Sequence, residues 1–468
     1  MFFLNQTVHG SLFMFSIRSL IIFIFIFSPT LTSATNGYFS HGTGIKTRAL
    51  AGAGVAFPQD AMASATNPAG MVFVGDRYDV GLVIFNPDRG YSSSNSLANG
   101  MGGAFTIGPD AQDSGDNIFL IPSFGINKMV TERDAIGLSV YGNGGLNTTY
   151  RSGGGSATFD PDGMGPAPVT TFAGVFGGGT AGADLSQLFI NFSYAHKFSD
   201  TLSIGISPIF AVQSFRGNGV SPFAGFTKTF VESGFTQMPT NLTENGQDYS
   251  YGGGVQIGVV AKDLIGTTDF GISYRSKIWM SEFDDYSDLL AEDGDFDVPP
   301  TLWAGIAAEL SESVTLVFDY QKIWYDEIDS LGNDFERLFD CPALGGSNVE
   351  ACLGGDEGAG FGWNNVDVFK LGLQWQASPS ATWRFGFSHA DQPIDSDQVL
   401  FNILATAVVE DHVTAGFTYK TKNMGELNFE AMHAFHHSQD GVNPLDPTQT
   451  IRIKMKQYEI GLGWSKEF

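Results

Sequence analysis

Apolar and polar residues alternate strictly along many stretches of the chain, and that pattern admits few folds. Leu202, Ile204, Ile206, Pro208, Phe210 and Val212 share one parity, while Ser203, Gly205 and Ser207 share the other. Leu302, Ala304, Ile306, Ala308 and Leu310 repeat the pattern, and Val314, Leu316, Phe318 and Tyr320 alternate with Thr315, Asp319 and Gln321. A period of two is the signature of a strand with two unlike faces. The polar face is rich in Gly, Ser, Asn and charge. Glycine supplies 59 of 468 residues, nearly twice the usual share of roughly 7%, which argues against a helical fold because glycine destabilises helices.

Spacing then separates the β architectures. Short connections of turn-forming residues occur at 131–134, 199–201, 263–267, 311–313, 378–380 and 422–425. Strands are expected around Leu82, Ile121, Leu138, Phe192, Ile206, Ile257, Ile272, Ile306, Phe318, Leu371, Phe385, Ala415, Phe429 and Ile460. These fourteen strands alternate between six short turns and seven long, mostly acidic connections. The fold class is therefore all-β: a 14-stranded antiparallel transmembrane β-barrel of the outer-membrane type. Closure leaves no strand edge unpaired in lipid. A soluble sandwich or propeller would have to bury the Gly-rich polar face. The last strand places Tyr458, Ile460, Leu462, Trp464, Lys466 and Phe468 on one side. An amphipathic final strand ending on Phe468 resembles the signal that bacterial barrel assembly machinery recognises.

The N-terminus indicates export. Arg18 precedes an apolar run from Leu20 to Phe27, followed by Pro29 and the small-x-small pattern Thr32-Ser33-Ala34. This reads as a secretory signal peptide over 1–34. Eight apolar residues at 1.5 Å each fall far short of the ~30 Å hydrocarbon core, so the run is no membrane anchor. The net charge of −26 excludes nucleic acid as a partner, since its phosphates require Lys and Arg. Two cysteines cannot build a disulfide scaffold or a four-cysteine zinc site.

Residues 35–76 do not alternate. They contain Asn36-Gly37-Tyr38, the small-residue run Ala51-Gly52-Ala53-Gly54-Val55-Ala56, and then Asn67-Pro68-Ala69. This segment resembles the N-terminal hatch of the FadL/TodX family, outer-membrane transporters of long-chain fatty acids and other hydrophobic compounds, and the Asn67-Pro68-Ala69 triplet matches the family's hatch motif. The resemblance covers the whole mature chain and implies a hatch over 35–76 plugging a barrel over 77–468. Small residues suit a compact plug in a fourteen-stranded lumen. The Asn67 amide can bond lumen backbone groups.

Several residues are candidates for function. The third strand breaks into Gly142, Asn143, Gly144 and Gly145, and glycine in a strand marks a bulge or kink. The resemblance implies that this kink opens the wall sideways. Within 221–234, Ser221 is placed to cap a helix and Pro222 to begin it, with Phe223, Phe226 and Phe230 on one face as a hydrophobic capture groove. Alternation points Arg275, Lys277, Lys370 and Arg384 inward, either to meet a fatty carboxylate or to neutralise inward acids such as Asp319, Asp367 and Glu430. Cys341 and Cys352 share an acidic loop, and an oxidising export route favours a disulfide between them. Acidic loops could also bridge to lipopolysaccharide through divalent cations. His433, His436 and His437 read as a polar strand end rather than a metal site. His412, His437 and Ser438 offer the elements of a hydrolase without a recognisable nucleophile–base spacing. The expectation is a monomeric channel, not an enzyme, with no cofactor and no catalytic residue. It would take a fatty acid, alkane or aromatic inward by loop capture, lumen binding, hatch movement and lateral exit.

Overall fold

The structure, a computed structural model, describes residues 36–161 and 168–468. The expected signal over 1–34 lies outside the described residues. Fourteen long strands form the wall: β1 Arg77–Ser93, β2 Phe119–Met129, β3 Asp134–Asn147, β4 Gly182–Lys197, β5 Leu202–Asn218, β6 Asp248–Ile265, β7 Thr268–Arg275, β8 Thr301–Ser311, β9 Val314–Ile323, β10 Val366–Ser378, β11 Ala381–Ala390, β12 Asp411–Lys420, β13 Glu426–Asn443 and β14 Asp446–Glu467. Each pairs antiparallel with the next, and β14 returns to β1 in register from Arg77↔Glu467 to Ser93↔Ile451. The sheet is closed, and every expected strand centre falls inside a strand.

The alternation sorts the two faces as the sequence implies. Leu82, Ile84, Ile204, Ile206, Phe385 and Leu462 point outward and are exposed. An apolar band of this extent far exceeds the few hundred Å² that a soluble surface tolerates, and it suits lipid. From Tyr458 on β14 to Phe468 just past its end, the outward row spans ten residue-to-residue steps, ~26 Å along the membrane normal at the usual strand tilt.

One connection departs from expectation. The seventh long loop, anticipated between Phe429 and Ile460, is mostly strand, because β13 and β14 run on past the membrane band and join at Pro444 and Leu445. Ile451, Ile453 and Met455 stay buried on the inner face, so alternation continues beyond the depth at which loops were expected. The register shifts between Ala434 and His437, which puts His436 on a bulge.

Residues 36–76 pack inside the barrel. They include helices α1 Ile45–Arg48 and α2 Ala63–Thr66 and a 3₁₀ turn over Pro68–Phe73. The glycines of the inner wall are explained by this packing. A Cβ on Gly258 would lie 1.9 Å from Asn67 Oδ1, on Gly271 2.2 Å from Val55 O, and on Gly205 2.4 Å from Ala69 N. Plug backbone rests directly on Gly271 and Gly205, and the Asn67 side chain on Gly258, approaches that only glycine permits.

Candidate functional site

The long loops gather over one end of the barrel around an apolar cavity. Phe215, Val220, Phe223, Leu290, Leu353 and Phe401 contribute to its lining, and the only side-chain hydroxyl among the described lining residues, on Ser330, is spent on Asp295 O at 2.6 Å. None of the described residues that line it is charged, so this lining can hold an apolar molecule and offers no counter-charge to an ion. Cys341 and Cys352 are joined in a disulfide that pins the neighbouring loop.

The expected three-phenylalanine helix face does not form. The segment divides into a 3₁₀ turn, Ser221–Phe226, and a short α-helix, Lys228–Glu232. Thr227 separates them in an extended conformation, and its hydroxyl accepts from Phe230 N. Pro222 does sit at the first turn, but capping by Thr227 restarts the helix on a new axis. Phe223 is buried among Phe105, Phe176 and Phe401, with ring centroids 5.3 to 5.5 Å away. Phe226 is half-buried beside it, whereas Phe230 packs on Phe235 instead.

A second cavity lies lower, between the N-terminal segment and the wall. Phe39, Tyr141, Asn143, Arg275, Trp303 and Lys370 are among its lining residues. A chain of contacts joins the two cavities. Ser330 bonds the carbonyl of Asp295, the adjoining Phe296 packs on Tyr38 at 6.2 Å, and Tyr38 packs on Phe39 at 4.9 Å. Tyr325 and Trp363 close on the same Tyr38 ring. Sequence reading passed over this aromatic junction. Its members lie in the N-terminal segment and two different loops, with Tyr325 and Trp363 at opposite ends of one of them, and no local spacing links them.

Arg275, Lys370 and Arg384 point inward, as alternation predicts, but each is already engaged. Arg275 donates to Asn143 Oδ1 at 2.7 Å and Thr301 Oγ1 at 3.2 Å, and its guanidinium lies over the rings of Phe39, Phe189 and Trp303. Lys370 donates to His41 O at 3.0 Å, and Arg384 to Gln59 Oε1 and Thr418 Oγ1. Lys277 falls beyond the end of β7, where alternation no longer governs, and pairs with Asp297 at 3.7 Å. Asp367 faces outward to Lys322 and Tyr320, because it has the opposite parity to Lys370. Asp319 is inward but accepts the amides of Gly54 and Val55 at 2.7 and 2.9 Å. Other inward acids are met by plug and wall cations: Lys46 pairs with Glu426 at 2.6 Å and Arg48 with Glu459 at 2.7 Å, while Arg77 on β1 pairs with Asp79 at 2.9 Å; among the described residues neither carboxylate oxygen of Glu430 has a hydrogen-bond partner.

Asn67 behaves as its side-chain chemistry suggests. Its amide donates to Val55 O at 2.8 Å and to the wall carbonyl of Val259 at 3.0 Å, while its oxygen accepts from Ala69 N. Pro68 follows at the first position of the 3₁₀ turn. Nearby, burial together with Arg48 and Lys370 holds the His41 imidazole well below its ordinary pKa, and therefore neutral.

The wall itself is interrupted beside the lower cavity. Pairing of β2 with β3 runs from Met129↔Ala135 to Ser123↔Tyr141 and stops. Above that point, within the wall, residues 119–122 pair only with β1, and Gly144, Gly145, Leu146 and Asn147 only with β4. The register of β3 shifts between Gly142 and Gly144. Its freed edge is taken from inside: Gly145 N donates to Tyr38 O at 2.9 Å and Ser40 N to Asn143 O at 3.0 Å. A Cβ on Gly144 would sit 2.2 Å from Tyr38 O, so this approach requires glycine. The unpaired stretch of β2 is ~14 Å long at strand rise. Phe119 and Ile121 on one edge and Tyr141 and Leu146 on the other are apolar and buried.

The histidines do not form a centre. His412 is buried with its ring 6.4 Å from that of His41, whereas His437 pairs with Glu410 at 3.0 Å and His433 stacks on Tyr458. Among the described residues no group of three His, Cys, Asp or Glu side chains is spaced to hold a metal.

A family model described as outer membrane protein transport protein (OMPP1/FadL/TodX) matches residues 34–459. No curated protein sequence matches the chain. Among solved structures, the Pseudomonas putida toluene transporter TodX is similar at 17% identity and TM-score 0.61, over 92% of this chain and 99% of that one. A Pseudomonas aeruginosa FadL homologue is similar at 16% identity and TM-score 0.60, over 92% and 100%. The Ralstonia pickettii toluene transporter TbuX is similar at 16% identity and TM-score 0.56, over 92% and 99%. At these identities the likeness is one of fold.

Proposed function

The chain belongs to the outer-membrane transport protein family OMPP1/FadL/TodX, whose members are channels and not enzymes, and on that premise we propose that it takes up long-chain fatty acids or other hydrophobic compounds passively. It is an integral protein of the outer membrane. The observation that carries the proposal is the interrupted pairing of β2 and β3, an apolar-edged opening that adjoins the lower cavity.

Capture occurs in the loop cavity beside Phe223, where each buried methylene contributes about 0.8 kcal/mol. The cargo then passes the Tyr38 junction as the 35–76 hatch shifts, with Asn67-Pro68-Ala69 as its hinge on the wall. It leaves sideways at Gly142, Asn143, Gly144 and Gly145. The engaged state of Arg275, Lys370 and Arg384 favours a structural role for these cations. Residues 1–34 are the export signal, and Phe468, whose ring is exposed and stacks on Tyr78, is the residue presented to the assembly machinery. The chain acts as a monomer surrounded by lipid and lipopolysaccharide, since its own fourteen strands close the sheet.

Toluene is the first probe, because two of the similar structures are toluene transporters; an alkane and a fatty acid complete the panel. Cells expressing the chain should accumulate at least one probe faster than cells without it, while the purified protein in planar bilayers conducts ions poorly. A large steady conductance without faster uptake of any probe would identify an open, non-selective pore and refute the proposal.

A further inference from the structure

Arg89 occupies an unusual place. It points inward from β1 and is 3% exposed, directly above the point where β2 begins at Phe119. Its Nη1 donates to Pro87 O at 2.8 Å, and its Nη2 to Asp116 O at 2.6 Å and Asn147 Oδ1 at 2.8 Å; its Nε donates to Asn147 O. Below it the ring of Phe119 lies 5.6 Å from the guanidinium carbon. These contacts tie β1 to the end of β3, two strands that are not neighbours in the sheet.

Elsewhere β2 would fill that interval. Here β2 is absent, and the Arg89 side chain spans the space with backbone-like hydrogen bonds just below the point where residues 111–113 take up pairing with β1. The tie continues above: Ser114 N donates to Arg89 O at 2.8 Å, Gly115 N to Thr149 O at 2.8 Å, and Thr149 Oγ1 to Asp116 Oδ2 at 2.7 Å. The opening is thus bounded below by the Ser123↔Tyr141 pair and above by Arg89. A planar guanidinium donates in several fixed directions at once, which an ammonium does not.

We infer that Arg89 is a positioning residue that fixes the upper rim of the wall opening and thereby sets the largest hydrophobic molecule able to leave sideways. The inference rests on the lateral route proposed above. Losing the guanidinium removes the direct bonds from β1 to Asn147 and Asp116 and leaves the end of β3 held to β1 only through the 111–116 segment, so the rim yields to bulky molecules while slim ones pass as before.

The test uses the full chain in the outer membrane of cells and follows uptake of toluene and of pyrene. Arg89→Gln should raise the pyrene-to-toluene uptake ratio about fivefold while leaving toluene uptake within about twofold, a change in discrimination rather than in overall flux. Arg89→Lys, which keeps the charge and the stem but not the fork, should act in the same direction, and it decides the matter if the glutamine variant fails to form a heat-modifiable barrel. An unchanged ratio in a folded variant overturns the inference. A parallel sample carries Ile121→Cys with Gly142→Cys, which closes the opening when oxidised. If closure abolishes uptake but the Arg89 variants keep the ratio, the rim assignment alone fails. If closure leaves uptake intact, the lateral route fails and takes the rim assignment with it.

Discussion

Stapling the wall shut is the most direct test of the exit route. A Cβ on Gly142 would lie 3.0 Å from Ile121 Cγ2, close to the ~3 Å that separates the sulfur of one half-cystine from the Cβ of the other in an unstrained disulfide. Ile121→Cys with Gly142→Cys should therefore oxidise without moving either strand. The bridge falls midway along the unpaired residues 119–122, so no free stretch longer than ~7 Å remains. The buried side chains of Phe119 and Tyr141 already occupy much of that length. Uptake of whichever hydrophobic probe the parent carries should fall at least tenfold, a barrier of about 1.4 kcal/mol or more, and recover with mild reductant. The native Cys341–Cys352 bridge is fully buried, and parent protein under the same reductant controls for it. Equilibrium binding of the probe to purified protein should persist, because the loop cavity is untouched. Normal uptake after quantitative cross-linking would refute the lateral route and leave passage past the plug into the periplasm. Valine at Gly144 is not an equivalent perturbation: its Cβ, 2.2 Å from Tyr38 O, would push residues 38–40 off the strand edge as well as fill the gap.

Three further outcomes are expected. Asn67→Ala removes the bonds to Val55 O and Val259 O and the cap on Ala69 N, so the plug should loosen by about 2–3 kcal/mol, seen as faster hydrogen exchange over 45–74 with barrel exchange unchanged. Burial and the neighbouring Asp297 carboxylate push the Asp295 carboxyl up to about 7; because the folded loop holds this proton more tightly than the unfolded chain, the contribution is complete below about pH 4 and is lost as pH rises through about 7. Proteolysis of the 276–300 loop should accordingly be slower at pH 5 than at pH 8, and Asp295→Asn should flatten that dependence. Cys341→Ser with Cys352→Ser opens a loop of sequence separation 11 and should cost that loop ~3 kcal/mol, with greater hydrogen exchange over 333–362 as the readout.

The barrel was legible from local pattern because lipid imposes a two-residue period on every membrane-spanning strand, and turn residues mark one end. All fourteen strand centres and the inward parity of Arg275, Lys370 and Arg384 follow from that constraint alone, and Asn67 followed from what a side-chain amide can bond. Where the period lapses, so does the reading. Lys277 lies past the end of β7, and Asp367 needed its parity counted against Lys370 rather than its charge matched to it. The phenylalanine helix was broken by Thr227, whose capping bond competes with helix continuation at a range that propensity does not resolve. The contacts on which the proposed transport depends lie further still from local pattern. Tyr38 meets Phe296, Tyr325 and Trp363, Asn67 meets Val259, and Arg89 reaches Asn147 and Asp116. These partners are separated by 27 to 325 residues in sequence and become neighbours only when the sheet closes and the N-terminal segment enters it. The end of β2–β3 pairing at Ser123↔Tyr141 was likewise invisible, since glycine permits a bulge but does not say which neighbouring strand is left unpaired. Periodicity reports which face a residue takes relative to lipid; the positions of residues on the inner face relative to one another depend on closure, register and the plug packed against them.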